Sequence, residues 1–193
     1  MILQLTVILT SLPFVTAGAA FSAAHYVLLK MYRNQEGSVW REFWHAFRAN
    51  FRQATLLWLL YLGVILFLYV DLRLIIASHL PPLQFAAYLL PFPLLLTALS
   101  LSWVFILQSR YENTIGKTIR LSLLMVLSHP LYTIINILIL SLPLFLVYFF
   151  SAAIPFILFL GYSLPGLIRA ILYSRIFDKL EGTDWRKQSS EAA

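Results

Sequence analysis

Residues 121–168 read LSLLMVLSHPLYTIINILILSLPLFLVYFFSAAIPFILFLGYSLPGLI and contain no Asp, Glu, Lys or Arg. A membrane-spanning helix needs about 20 mostly apolar residues, so this stretch of 48 residues has room for two. Three further charge-free stretches, residues 1–29, 53–70 and 74–109, each have room for one. The pattern predicts an all-α fold, a polytopic membrane helix bundle with about five transmembrane helices.

The composition excludes an ordinary soluble domain. The 193 residues are 61% hydrophobic and 11% charged, whereas soluble domains are about 45–50% apolar and about 25% charged. The sequence has no cysteine, which removes disulfides, thiolate catalysis and cysteine metal sites from consideration. With too few ionisable groups for most active sites, we expect neither an enzyme nor a cofactor.

Turn signals and charges divide the chain. We predict one transmembrane domain over residues 1–177 and a polar cytoplasmic tail over residues 178–193. The predicted spans are residues 2–31, 54–70, 85–108, 118–148 and 154–177. Proline predicts distortion within three of them, at Pro13 in the first, at Pro91 and Pro93 in the first half of the third, and at Pro130 and Pro143 in a long, bent fourth. An outside turn is predicted over residues 71–83.

An amphipathic helix is predicted over residues 38–53, with Ser38 as its N-cap. Aromatic residues recur along one face at helical spacing, while basic residues lie beside them. The aromatic face comprises Trp40, Phe43, Trp44, Phe47 and Phe51, and the basic residues are Arg41, His45, Arg48 and Arg52. The pattern is typical of a helix at the membrane surface whose arginines (Arg41, Arg48 and Arg52) meet lipid phosphates or a partner. The alternative is that the aromatic face packs on the protein's own spans, and the two interpretations are compatible.

Small residues indicate where helices approach closely within the bilayer. In lipid, helix packing favours small side chains because no hydrophobic drive brings the helices together. We therefore predict helix contacts at Gly18, Ser22, Gly161 and Gly166.

The distribution of basic residues predicts the orientation. With the N-terminus outside, the inside segments hold 13 of the 14 Lys and Arg, all except Arg73. This arrangement places the C-terminus in the cytoplasm. It also accounts for the net charge of +6 without a nucleic-acid partner.

Few residues within the predicted spans are suited to chemistry. No acidic or basic side chain is expected at mid-depth, which argues against an ion-driven carrier. For His25 we favour a place near the inner interface, and for His129 a hydrogen bond to a carbonyl freed by Pro130. Asp71 and Arg73 are interpreted as a surface ion pair, with contact to an outside partner as the alternative.

The residues also carry a family resemblance. Residues 12–18 (LPFVTAG), 43–60 (FWHAFRANFRQATLLWLL) and 69–73 (YVDLR) resemble the YesL-like family of bacterial membrane proteins. The likeness is most specific from Pro13 to Arg73, where LP-x-x-T-x-G, F-x-x-x-F-x-x-x-F and NFRQAT occur together, and it is weak after Glu112. Family members usually carry further residues before the first span, which opens here at Met1.

The resemblance implies an integral protein of the bacterial cell membrane, without an assigned activity and often encoded beside carbohydrate ABC importers. The leading expectation is therefore a non-enzymatic accessory protein of a carbohydrate uptake system, with the lipid bilayer and an importer as partners. The alternative is a small-solute transporter or exporter that acts as an oligomer. An enzyme that acts on lipids is a third and weaker interpretation.

Overall fold

The computed structural model describes residues 2–33, 37–78, 87–111, 113–149 and 163–181. Within these ranges the chain forms α-helices, one short 3-10 helix at Phe14–Thr16 and no strand, which confirms the predicted all-α fold. The helices are α1 (Ile2–Ser11), α2 (Ala17–Tyr32), α3 (Val39–Ser78), α4 (Pro91–Arg110), α5 (Ile115–Ser128), α6 (Pro130–Phe149) and α7 (Ser163–Glu181).

Several of these helices are suited to a membrane. Three helical segments of the described chain, Phe14–Tyr32, Val39–Ser78 and Ala87–Arg110, are long and apolar enough to cross a bilayer. Taken as one span, the bent pair α5 and α6 makes a fourth. Five spans were predicted, but residues 154–162 of the fifth lie outside the described residues, as do residues 85 and 86 of the third.

The predicted first span, residues 2–31, is not one helix. α1 ends at Ser11 and α2 begins at Ala17, because Pro13 lacks the N–H that a continuing helix would use. Leu3 and Val7 of α1 share a buried cluster with residues of α2, so α1 lies alongside α2. The segment that remains as a candidate span is Phe14–Tyr32.

The predicted boundary between an interfacial helix (38–53) and a second span (54–70) is wrong. α3 runs without a break for 40 residues, from Val39 to Ser78. At a rise of 1.5 Å per residue its length is about 60 Å, twice the hydrocarbon thickness of about 30 Å. The polarity of the sequence changes near residue 53, but no Pro or Gly is present there to end a helix.

The predicted bent fourth span is two helices. α5 and α6 meet at His129 with an angle of 101° between them. A residue that precedes proline is disfavoured in the α conformation, and His129 has φ −130° and ψ 60°. Pro143, by contrast, lies within α6.

Two other predicted boundaries differ from the structure. Asp71 and Arg73 were placed in a turn, whereas α3 continues through both of them to Ser78. The polar tail was predicted from residue 178, but α7 continues to Glu181, and residues 182–193 lie outside the described part of the chain.

The buried apolar side chains of the described residues form three clusters. The first joins α1, α2, the start of α3 and Ala170 of α7. The second surrounds Trp103 of α4 and includes Tyr173 and Phe177 of α7. The third lies between Leu57 and Tyr61 of α3 and the end of α4. α6, in contrast, leaves most of its large apolar side chains exposed.

Candidate functional site

α2 and the first half of α3 pack side by side in opposite directions. At one end of this seam, a Cβ atom placed on Gly18 would lie 2.6 Å from the Cβ of Trp58 and 2.7 Å from the carbonyl oxygen of Ala54. At the other end, Lys30 Nζ donates to Glu42 Oε1 at 2.6 Å. Lys30 lies 12 residues after Gly18, and Glu42 lies 12 residues before Ala54. The two helices therefore keep one antiparallel register along the whole seam.

This register explains the motif LP-x-x-T-x-G at residues 12–18. Pro13 ends α1, and Thr16 Oγ1 donates to the carbonyl oxygens of Thr10 (2.6 Å) and Pro13 (2.8 Å) in the tight turn that follows. Trp58 Nε1 donates to the carbonyl oxygen of Phe14 at 2.9 Å. Gly18 then allows α3 to approach, so Pro13, Thr16 and Gly18 of the motif each have a structural role, whereas Leu12 is exposed.

The aromatic face of α3 is divided between the core and the surface. Phe43 is fully buried in the cluster shared with α2, and Trp44 and Phe47 pack against that cluster. Trp40 is 50% exposed and Phe51 36% exposed. Adjacent rings lie close together, with centroid distances of 5.6 Å for Trp40–Trp44 and 5.4 Å for Phe47–Phe51. The structure thus packs the centre of the predicted face on the protein itself.

The basic residues of α3 form an exposed surface that we call the arginine face. It consists of Arg41, His45, Arg48 and Arg52, all exposed. An open groove on this face is lined by three of these residues, Arg41, His45 and Arg48, together with Trp40, Trp44 and Ala49. The face combines cationic and aromatic side chains along about three turns of one rigid helix, where an anionic or aromatic surface can bind.

A hydroxyl cluster joins α3, α4 and α5. Tyr61 Oη lies 3.0 Å from Ser122 Oγ, and Ser100 Oγ donates to Tyr61 Oη at 3.1 Å. All three side chains are buried. Hydrogen bonds of this kind between helices contribute to helix association.

A cavity of about 240 Å³ lies between five helices. Phe21 of α2, Trp58 of α3 and Phe105 of α4 form aromatic walls, and their ring centroids lie 5.9–6.2 Å apart. Leu140 of α6 also lines it. The polar side chains among the described lining residues are His25, Ser102 and Arg169.

Arg169 is the residue that sequence reasoning missed. By its position in the sequence, Arg169 is predicted to be one of the inside charges near the end of the fifth span. No charged side chain is therefore expected in the middle of any span. In the structure Arg169 is only 4% exposed. Its position eight residues before Phe177, the end of the predicted span, was a signal that could have been used. His25, placed near the inner interface by the sequence, is also 4% exposed and lines the same cavity.

The remaining predicted residues are spread over the fold. The His129 ring faces Trp103 and Tyr132, and its Nδ1 atom makes no hydrogen bond to a carbonyl. Asp71 is half-buried and Arg73 is exposed. The two are two residues apart on a helix and so do not face each other.

The structure shows the burial of two more of the small residues predicted at helix contacts. Ser22 is fully buried in α2, and Gly166 is buried in α7. Gly161 lies outside the described residues.

Comparison with known families agrees with the N-terminal part of this description. The family described as "Protein of unknown function, DUF624" matches residues 1–72, which span α1, α2 and most of α3. This match confirms the resemblance to the YesL-like family, with which DUF624 is consistent. No curated protein and no solved structure matches the chain.

Proposed function

We propose that the protein is a non-enzymatic, multi-pass protein of the bacterial cell membrane that acts as an accessory to a carbohydrate ABC importer. The importer association comes from the family resemblance. Within the structure, the observation that carries the proposal is the arginine face, which is presented along the first half of a helix about 60 Å long. The apolar second half of this helix, residues 54–78, is by itself long enough to cross a bilayer.

The chemistry of this face suits a protein partner. Arg and Trp are among the side chains most enriched in the residues that dominate binding energy at protein interfaces. Arg48 and Trp40 lie together in one groove, and the buried packing of Phe43 holds the helix in place from the opposite side. The distribution of basic residues favours a cytoplasmic location for this face and for the C-terminus. Anionic lipid is a second partner for the same arginines.

Co-purification tests the proposal. The full chain would be tagged in its native host, extracted in mild detergent and purified, and the bound proteins would be identified by mass spectrometry. We expect permease subunits of a carbohydrate importer with the wild-type protein and a strong loss of them with Arg41→Gln/Arg48→Gln. Arg73→Gln, at the other end of the same helix, is the matched control and should retain them. Recovery of the protein without any importer subunit would contradict the proposal.

The cavity favours a second candidate, a small-solute transporter or exporter that acts as an oligomer. It contains a cationic side chain and aromatic walls, a combination that can hold a solute. The two candidates differ in what the purified protein does alone. Solute flux in proteoliposomes that contain only this chain would favour the transporter.

A further inference from the structure

Among the described residues, the charge of Arg169 has no acidic counterpart in the cavity that it lines. None of the described lining residues is Asp or Glu. The sequence contains no acidic residue between Glu112 and Asp178, and α2 and α4 contain none. α3 contains two, of which Glu42 pairs with Lys30 and Asp71 lies 13 residues beyond Trp58.

Such an arrangement is unfavourable without a bound anion. Burying a charge without an opposite charge beside it is destabilising, and within a membrane protein an interior charge generally serves a site or a pathway. Arg169 is 4% exposed, and its Nε atom makes no hydrogen bond to any described residue. The planar guanidinium group presents parallel N–H donors that match a carboxylate or a phosphate.

We propose that this cavity binds a small anion, with Arg169 as the ligand for its carboxylate or phosphate and with Phe21, Trp58 and Phe105 around an apolar body. The volume of about 240 Å³ limits the size of the ligand, because sites for drug-sized molecules measure about 300–1,000 Å³. His25 and Ser102 add polar atoms beside the guanidinium group. The mainly apolar walls select against a fully hydrated inorganic ion.

The required chemistry, an anionic group on an apolar body, is found in small soluble aromatic acids and in anionic phospholipids, of which only the phosphate and an adjoining segment would fit a cavity of about 240 Å³. Both sources present the same charged group to Arg169. This inference is independent of the proposed accessory role, because it concerns binding to the isolated chain, whereas the accessory role concerns co-purification.

The test uses the full chain in a neutral detergent. Benzoate and phenyl phosphate would be titrated against the wild-type protein, with benzamide as the uncharged control, and binding followed by thermal shift and calorimetry. We expect saturable stabilisation by at least one of the two anions and none by benzamide. Arg169→Gln should raise the dissociation constant at least about tenfold, since hydrogen bonds to charged groups contribute about 1.5–3 kcal/mol. Arg175→Gln, at an exposed position of the same helix, should bind as the wild type does.

A second variant covers the case in which Arg169→Gln does not fold. Ser102→Leu retains Arg169 but fills part of the cavity, and it should weaken binding of the same anion. Native mass spectrometry distinguishes the source: a phosphatidylglycerol adduct retained by the wild type and lost in either variant identifies a membrane lipid, whereas stabilisation by the soluble anions without such an adduct identifies a free acid. If the wild type shows neither, or if binding is unchanged in the cavity variants, the proposal is overturned.

Discussion

Lys30 Nζ lies 2.6 Å from Glu42 Oε1, and this ion pair closes the end of the antiparallel seam between α2 and α3. Both side chains are 25% exposed, so solvent reaches the pair. Residues 34–36, which lie between Lys30 and Glu42 in the sequence, are outside the described part of the chain. The ion pair fixes the same register that Gly18 and Ala54 define at the opposite end.

The ion pair should contribute modestly to stability. Partly exposed pairs are worth about 0–1 kcal/mol, so Lys30→Gln and Glu42→Gln should each lower the free energy of unfolding by no more than about 1 kcal/mol. A double-mutant cycle on the detergent-solubilised chain measures the coupling free energy between the two side chains. This coupling should stabilise the fold and should weaken with added salt. Zero coupling at low salt would show that the two side chains do not interact in solution.

Gly18 should be intolerant of any side chain. Gly18→Ala places a methyl group against the backbone of Ala54 and the Cβ of Trp58, and such overpacking should lower the free energy of unfolding by about 1–3 kcal/mol. Gly63, on the same seam-forming helix α3, has nothing within 4 Å of an added Cβ. Gly63→Ala should therefore be neutral or stabilising, by up to about 1 kcal/mol. Equal destabilisation by the two substitutions would contradict the close approach at Gly18.

The buried and the exposed residues of the aromatic face should contribute differently to the free energy of unfolding. Phe43→Ala removes a fully buried ring and should lower the free energy of unfolding by about 3–5 kcal/mol. Trp40→Ala, at a residue 50% exposed, should have a much smaller effect. Denaturant titration of both variants in the same detergent gives the comparison. A larger effect at Trp40 than at Phe43 would reverse the assignment of core and surface.

The two ends of α3 should lie on opposite sides of the membrane. The chain has no native cysteine, so Ser38→Cys and Ser78→Cys can be labelled without background. Ser38→Cys should resist an impermeant maleimide in intact cells, and Ser78→Cys should react. Ser38 lies before the arginine face and Ser78 after the charge-free stretch, which makes the pair sensitive to orientation. The reverse labelling pattern would invert the topology.

The sequence predicted the all-α class, the helical character of nearly every described segment and a distortion at Pro13, where the structure divides the predicted span into two helices. These features follow from local chemistry, since charge-free stretches and prolines act on the residues that contain them. The burial of Phe43 was left open between lipid and protein, because helical periodicity identifies an apolar face but not what covers it.

Tertiary relationships account for what the sequence did not predict. The boundary near residue 53 was inferred from a change in polarity, but polarity determines what surrounds a helix and does not end it. Arg169 was interpreted as a flanking charge because nothing local shows that α2 and α4 enclose it. His129 was expected within one bent helix, whereas the residue before Pro130 takes a non-helical conformation and separates α5 from α6.

In-cell photocrosslinking from the arginine face tests the central claim most directly. A photoreactive amino acid at Arg48 would lie in the exposed groove of α3, and one at Phe67, which is 69% exposed in the apolar half of the same helix, serves as the control. The accessory role predicts an adduct between position 48 and a permease or ATPase subunit of a carbohydrate importer, with no such adduct from position 67. Adducts from position 48 that contain only lipid or further copies of this chain would contradict that role.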